Sequence, residues 1–214
     1  MSGPMADEVL ALSLEHIELV AITLAMASAI GLPLAIWLQR RAAWRRLLVG
    51  FVNIAQTVPS LAMFGFLLPI PLLGGIGKRT AVVALTLYAL LPIVRNTLVG
   101  LLGVDASVRE SAEAMGMTAR QILWEVELPL ATPSIVTGFR VAMVSTIGTA
   151  TIAAAIGGGG LGVFIFRGIA MYDKWTILAG AVPAAAMAIL ADELLGWLER
   201  SLGSLGLQGT GNGG

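Results

Sequence analysis

The chain has 214 residues, of which 57% are hydrophobic and 12% charged, and its 13 basic side chains balance its 13 acidic ones. Soluble domains average about 25% charged residues, and disordered chains combine low hydrophobicity with high net charge, so both classes are excluded. With one histidine and no cysteine, the sequence also excludes disulfides, thiolate nucleophiles and histidine-rich metal clusters. The balanced charge gives no indication of nucleic-acid binding. The composition predicts an integral membrane protein.

Uncharged runs predict five membrane helices, because about 20 apolar residues in a helix span a bilayer. In chain order the five predicted helices cover residues 17–38, 47–68, 80–102, 133–156 and 176–198. Pro69, Pro71 and the glycines that follow them predict a turn after the second helix. We expect an all-α, polytopic helical bundle that forms one domain over residues 17–200. Residues 1–16 are predicted to be an extracytoplasmic segment, and the Gly-rich residues 203–214 a disordered tail.

The distribution of basic residues predicts the orientation of the bundle, because cytoplasmic loops carry an excess of Lys and Arg. The loop between the first two predicted helices contains four arginines: Arg40, Arg41, Arg45 and Arg46. The N-terminal segment at the opposite face is acidic. These charges predict an extracytoplasmic N-terminus and a cytoplasmic C-terminus.

A charged segment over residues 104–129 separates the third and fourth predicted helices and differs in character from the rest of the chain. Its sequence is compatible with two short amphipathic helices, separated at Met117 and Thr118. Thr118 is a candidate N-cap for the second of them, and Pro129 is expected to end it. Both short helices would lie on the cytoplasmic side.

The residues of this segment resemble the EAA loop of ABC-importer permeases, in which EAA, three residues, Gly, nine residues and Ile-x-Leu-Pro follow one another. The matching residues are Glu110, Ser111, Ala112, Gly116, Val126, Leu128 and Pro129. The substitutions of Ser111 for Ala and Val126 for Ile are mild. Segments 56–60, 88–97, 147–151 and 159–162 are similar to the osmoprotectant branch, which imports glycine betaine, carnitine and choline. Val163 departs from that branch, which has an acidic residue after Gly-Leu-Gly.

This resemblance implies a type I ABC-importer permease in the bacterial inner membrane, with a cytoplasmic coupling helix that docks on an ATPase subunit. Glu110 and Glu113 would offer charged contacts, Ala112 and Gly116 a close approach, and Leu128 and Pro129 a stiff return into the fourth helix. The implied partners are an ABC ATPase dimer, a second permease subunit, an extracytoplasmic substrate-binding protein and the lipid bilayer. ATP and Mg²⁺ would be held by the ATPase, and this chain would hold no cofactor of its own.

The sequence has no phosphate-binding Gly-x-x-x-x-Gly-Lys-Ser/Thr pattern, so we expect a transport subunit and not an enzyme. Two alternatives stay open. An ABC permease for methionine or another amino acid would share the coupling loop, which reports the ATPase partner and not the cargo. A stand-alone secondary transporter would work without an ATPase, and such transporters usually contain inverted repeats.

A few charged and polar side chains fall inside the predicted helices. A charge deep in a membrane favours pairing, so we expect Arg95 or Arg140 to pair with Asp192 or Glu193, with snorkelling to the interface as the alternative. A set of polar residues could line a translocation path or bond to neighbouring helices: Asn53, Gln56, Thr57, Ser60, Ser145 and Thr149. His16 is expected to be solvated at the outer end of the first helix.

Overall fold

The computed structural model describes residues 3–70 and 74–207, apart from the side chains at positions 3, 4, 48, 51, 52, 55, 56 and 202–207. These residues are almost wholly helical and include no β-strand. The α-helices in chain order are α1 (Gly3–Gln39), α2 (Ala42–Thr57), α3 (Ser60–Leu67), α4 (Lys78–Leu102), α5 (Ala106–Ala114), α6 (Ala119–Gln121), α7 (Leu128–Ala153), α8 (Gly162–Met171) and α9 (Lys174–Leu207). A π-helix (Ile122–Glu127) joins α6 to α7, and a 3₁₀ turn (Ala154–Ile156) follows α7.

Four helical segments are long and apolar enough to cross a membrane, which confirms the predicted class of all-α membrane bundle. They are Met5–Gln39, Lys78–Leu102, Ala119–Ile156 and Lys174–Ser201. The second predicted helix, 47–68, is wrong as a single continuous span. The chain leaves helical conformation between α2 and α3, and neither their 16 nor their 8 residues reach the length that a bilayer requires.

Pro59 is the physical reason for this break. Its backbone is extended (φ −55°, ψ 137°), and a proline offers no N–H to a helix and disfavours helical conformation in the residue before it. The interruption leaves the Val58 carbonyl without a helical partner, and the Tyr88 hydroxyl on α4 donates a hydrogen bond to it. The kink is therefore tied to a neighbouring helix.

The ends of the other helices also differ from the expected bounds. α1 begins at Gly3, so most of the predicted extracytoplasmic segment 1–16 is helix continuous with the first span. α9 continues to Leu207, so residues 203–207 are helical; positions 208–214 of the predicted disordered tail lie outside the described residues, as does Pro71 in the predicted turn. Glu8 and Glu18 on α1 form salt bridges with Arg167 (2.8 Å) and Lys78 (2.7 Å).

α7 lies at the centre of the bundle and packs against α1, α4 and α9. It approaches α4 closely, since a Cβ at Gly138 would lie 2.8 Å from both the Asn96 Cβ and the Pro92 carbonyl oxygen. Buried side chains of α1, α3, α4 and α7 form the main core, which includes the fully buried Phe64. The segment between α4 and α7 is thereby fixed at both ends to packed helices.

His16 is buried, so the expectation that it is solvated is wrong. Its Nε2 lies 3.1 Å from the Ile147 carbonyl oxygen on α7. The glycine-rich turn after α7 closes over this position, because the Gly160 N–H donates to Glu15 (3.1 Å) and a Cβ at Gly160 would lie 2.9 Å from the His16 Nδ1. Since α1 begins several turns before His16, this residue lies inside the bundle and not at a helix end.

Candidate functional site

The coupling segment, residues 104–129, begins with a short helix that is capped at both ends. Asp105 is the N-cap of α5 and accepts a hydrogen bond from the Ser107 N–H (2.8 Å), which holds the pKa of this carboxyl below its usual value. At the other end, the Met117 N–H bonds to the Ala112 carbonyl and the Gly116 N–H to the Glu113 carbonyl. This pair of bonds is a Schellman motif, with Gly116 at φ +84°.

The second helix of the segment also begins with a cap. Thr118 and Gln121 form a capping box, which confirms Thr118 as an N-cap. The expectation that Pro129 ends this helix is wrong, because the π-helix continues directly into α7. Pro129 is the second residue of α7 and lies within its first turn, where the lack of an N–H is best tolerated.

The predicted coupling residues divide into an exposed and a buried set. Glu110, Ser111, Glu113, Gly116 and Pro129 are exposed, Val126 and Leu128 are half-buried, and Ala112 is buried. Ala112 therefore packs inside this chain and is not available for a close approach to a partner. A Cβ at Gly116 would meet no atom within 4 Å, so within this chain its glycine is required by the backbone angle and not by crowding.

Apolar side chains accompany the exposed charges of α5. Val108 is 40% exposed and Met115, at the end of the same helix, is 75% exposed. A methionine that remains so fully in solvent on a short capped helix is typical of a surface that contacts a partner. The exposed face of α5 thus combines carboxylates with a small apolar contact surface.

Glu127 lies beneath this helix and was missed by the sequence analysis, although it falls within the matched motif. Its side chain is 7% exposed and forms a salt bridge with Arg109 Nε (2.7 Å). Gln39, the last residue of α1, donates a longer hydrogen bond to the other carboxylate oxygen (3.4 Å). No local pattern reveals this contact, because residues 39, 109 and 127 are far apart in the sequence.

An ion network connects α7 with α9 inside the bundle. Arg140 binds Asp192 with two hydrogen bonds (2.7 and 2.8 Å) and Glu199 with a third (3.2 Å). Thr137 also donates to Glu199 (2.6 Å). Gly196 allows the guanidinium to lie against α9, since a Cβ there would be 2.9 Å from the Arg140 Cζ.

The other two residues expected in this network lie elsewhere. Arg95 and Glu193 are exposed, and neither forms a salt bridge within the described part of the chain. Glu199 was missed, although it lies seven residues after Asp192 and therefore on the same face of the helix, two turns on. The structure thus brings together Arg140 and Asp192 and adds Glu199 and Thr137 to them.

Three of the six residues predicted for a translocation path donate hydrogen bonds within their own helices. The hydroxyls of Thr57, Ser145 and Thr149 donate to the carbonyls of Ile54, Ala142 and Ser145 at 2.7–3.0 Å. Ser60 is half-buried at the start of α3, and the side chain of Gln56 lies outside the described residues.

Asn53 is exposed and borders an open cavity of about 480 Å³ between α2 and α4, which is also lined by Arg45, Arg46 and Arg95. Within residues 3–70 and 74–207, no group of three or more acidic or histidine side chains is arranged to hold a metal ion.

A family model described as binding-protein-dependent transport system inner membrane component matches residues 27–204. The chain belongs to this family. The matched range includes the whole coupling segment and the Arg140 network, so the permease has both within its family domain. Four of its helical segments are suited to cross the membrane, and it is a multi-pass membrane protein.

Curated relatives are similar to the permease over nearly their whole length. It is 43% identical over 195 residues to the glycine betaine/carnitine/choline transport system permease protein OpuCB of Bacillus subtilis (strain 168), covering 91% of this chain and 88% of the relative. It is 40% identical over 199 residues to the osmoprotectant import permease protein OsmW of Salmonella typhimurium, covering 92% and 93% of the two chains.

Solved structures share the fold. The permease superposes on a chain of the inward-facing MetNI methionine ABC transporter with a TM-score of 0.85 and 24% identity, covering 94% of this chain and 99% of the other. A chain of an amino acid ABC transporter with histidines gives a TM-score of 0.75 at 16% identity and covers 92% and 94%. At these identities the likeness establishes the fold and carries no statement about cargo.

Proposed function

We propose that the permease is the membrane subunit of an ATP-driven importer for osmoprotectants such as glycine betaine, carnitine or choline. The observation that carries the proposal is the capped coupling helix α5, which presents exposed carboxylates and Met115 beside a Gly116 that terminates it. The names of its relatives supply the substrate class. A stand-alone transporter would have no use for a rigid helix with an apolar surface left in solvent.

The partners follow from this function. A dimeric cytoplasmic ATPase would bind ATP and Mg²⁺ and would receive α5, while an extracytoplasmic binding protein would deliver the substrate. A second permease subunit, identical or related, would complete the path across the membrane. We propose that Asn53, Gln56, Thr57, Ser60, Ser145 and Thr149 lie along that path. The hydroxyls of Thr57, Ser145 and Thr149, which donate within their own helices, would offer only weak and transient contacts to cargo.

We infer that the C-terminus and the coupling segment are cytoplasmic and that the N-terminus is outside, an arrangement in which α2 and α3 together cross the membrane in addition to the four long segments. Arg40, in the basic cluster that follows α1, donates to the Ala119 carbonyl of the coupling segment (3.2 Å), so the cluster and the segment share one face. At the other face, Lys78 and Arg167 are paired with carboxylates of α1. The larger number of basic residues on the face that holds the cluster and the segment supports a cytoplasmic position for the segment.

The decisive experiment is reconstitution of the permease with its co-expressed ATPase and binding protein in liposomes. Glycine betaine is expected to stimulate ATP hydrolysis and to be taken up at the expense of ATP. Uptake of methionine but not of glycine betaine would overturn the substrate class, and uptake without any ATPase would overturn the subunit's role.

Gly116→Arg tests the coupling helix in the same liposomes. We expect it to abolish betaine-stimulated hydrolysis, because arginine is strained at φ +84° and projects from the end of α5. Gly116→Asn is the matched control, since asparagine adopts left-handed conformation at lower cost, and it is expected to retain more activity. Normal coupled transport by the arginine variant would contradict the role of the coupling segment.

A further inference from the structure

Three parts of the chain that are distant in sequence meet at the buried carboxylate of Glu127. Arg109, in the second turn of α5, binds one oxygen at 2.7 Å, and Gln39 at the end of α1 lies 3.4 Å from the other. The same arginine donates through Nη2 to the Leu101 carbonyl near the end of α4. One side chain of the coupling helix thus contacts both α4 and the last residue of the π-helix.

A second contact fastens the middle of the coupling segment to the same region of the chain. Arg40, next to Gln39, donates to the Ala119 carbonyl in α6 at 3.2 Å. The C-terminal end of α1 and the residue that follows it are therefore bonded to the coupling segment at two points, although the two regions are far apart in the sequence. A cavity of about 250 Å³ lies among these groups and is also bordered by Glu113. The contact therefore lies beside a cavity, although the Glu127 side chain itself is only 7% exposed.

We propose that Gln39, Arg109 and Glu127 form a latch through which movement of the coupling helix is passed to α1. This inference rests on the proposed function and assigns positioning roles to three residues outside the exposed docking face. The chain already connects α5 to α4 and α7. The latch adds α1, so that α1, α4 and α7 move together when the ATPase moves α5.

The chemistry of the latch suits a mechanical link. Separating Arg109 from Glu127 would leave a carboxylate that is almost wholly buried without its cation, and such a separation is strongly unfavourable. A neutral pair would resist separation much less. Arg109 lies between Val108 and Glu110, so the latch holds α5 within its exposed contact face.

Hydrogen exchange of residues 106–114 in the detergent-solubilised permease tests the latch without any partner. Glu127→Gln is expected to raise exchange in this peptide about tenfold, and Arg109→Gln should do the same. Glu125→Gln is the matched control, because Glu125 is exposed on the same π-helix and makes no salt bridge among the described residues.

The double variant tests whether Arg109 and Glu127 act as one pair. Because the same ion pair is removed in either single variant, the double variant should exchange no faster than the faster single variant. Exchange unchanged by Glu127→Gln, or additive effects in the double variant, would overturn the latch.

The functional arm uses the complete transporter in liposomes and measures the ratio of ATP hydrolysed to substrate taken up. We expect Glu127→Gln to raise this ratio several-fold while hydrolysis itself continues, whereas a variant that only assembled poorly would lose both in proportion. If Glu127→Gln raised hydrogen exchange but left the ratio of ATP hydrolysed to substrate taken up unchanged, the latch would have no role in coupling. The proposed function would still stand in that case. Absence of ATP-dependent uptake in the unaltered transporter would overturn the proposed function, and the exchange result would still decide whether the latch exists.

Discussion

At the scale of single residues, Gly116 shows how one backbone angle sets the end of the coupling helix. Its φ of +84° permits the two Schellman bonds that close α5, and no neighbouring atom limits the size of the residue there. Within this chain, its place in the motif therefore reflects conformation and not volume. Because the cost of this angle is known for a residue with a Cβ, the loss of stability caused by a substitution at Gly116 can be estimated.

Gly116→Ala is expected to destabilise the end of α5 by about 1–2 kcal/mol, the cost of left-handed conformation for a residue with a Cβ. Hydrogen exchange of residues 106–117 should then accelerate about five- to thirty-fold. Gly65→Ala on α3, which also meets no atom within 4 Å but has no positive φ, is the control and should leave this peptide unchanged. Equal exchange in the two variants would contradict the assigned cause.

Arg140 and Arg95 form a natural pair for testing the ion network, because both lie within spanning helices and only Arg140 has acidic partners among the described residues. Arg140→Gln should lower the thermal unfolding midpoint in detergent clearly more than Arg95→Gln, since it leaves Asp192 and Glu199 without their cation. A larger effect from Arg95→Gln would show that α7 and α9 are held together by packing and not by this network.

The sequence predicted the cap of the second coupling helix better than the buried contacts that support the segment. Gly116 and Thr118 have local signatures, because a C-cap and an N-cap are determined by neighbours within a few positions. His16, Glu127 and Glu199 depend on partners from 18 to more than 100 positions away, or on the burial that folding creates. Such contacts leave no mark in the local pattern of one sequence.

At the scale of elements, the crossing of α4 and α7 depends on small residues at the contact. Gly138 faces Asn96 and Pro92 at distances that leave no room for a Cβ, whereas Gly148, three turns further along α7, faces open space. The two glycines therefore separate the effect of packing from the effect of helix propensity.

Gly138→Ala should cost about 1–3 kcal/mol through overpacking of the α4–α7 contact, measured as a lower thermal midpoint in detergent. Gly148→Ala should be neutral or stabilising by up to about 1 kcal/mol, because alanine is the better helix former. If both substitutions had the same effect, the close approach of the two helices would be refuted.

Uncharged runs located most of the spanning elements, since the length of a bilayer-spanning helix is a strong constraint on composition. They failed at residues 47–68, where apolar character continues through a proline that breaks the helix. They also placed the ends of α1 and α9 too far inside, because charged residues can extend a helix beyond the membrane. Hydropathy indicates whether a segment lies in lipid or in water. The bounds of a helix depend instead on backbone hydrogen bonds, which can continue past the membrane or stop within it.

At the scale of the whole molecule, the orientation in the membrane can be tested with single cysteines, because the chain contains none. Ile76, which is 87% exposed, and Met115 lie on either side of α4. In intact cells, an impermeant thiol reagent should label Ile76→Cys, and it should label Met115→Cys only after permeabilisation. The reverse pattern would place the coupling segment outside and refute the proposed topology.

The π-helix between the coupling segment and α7 has a further consequence for the length of the motif. Its wider turns accommodate extra residues without interrupting the helix, so nine positions between Gly116 and Val126 determine an angle as well as a distance. Removing one residue from 122–127 would let the stretch close as ordinary α-helix with little change of direction, because one residue fewer in tighter turns covers nearly the same rotation about the axis of α7. Removing two would turn everything before it by about 100°, and Met115 and the carboxylates of α5 would then point to a different side of the molecule. The number of residues in this stretch therefore sets the angular phase between α5 and α7.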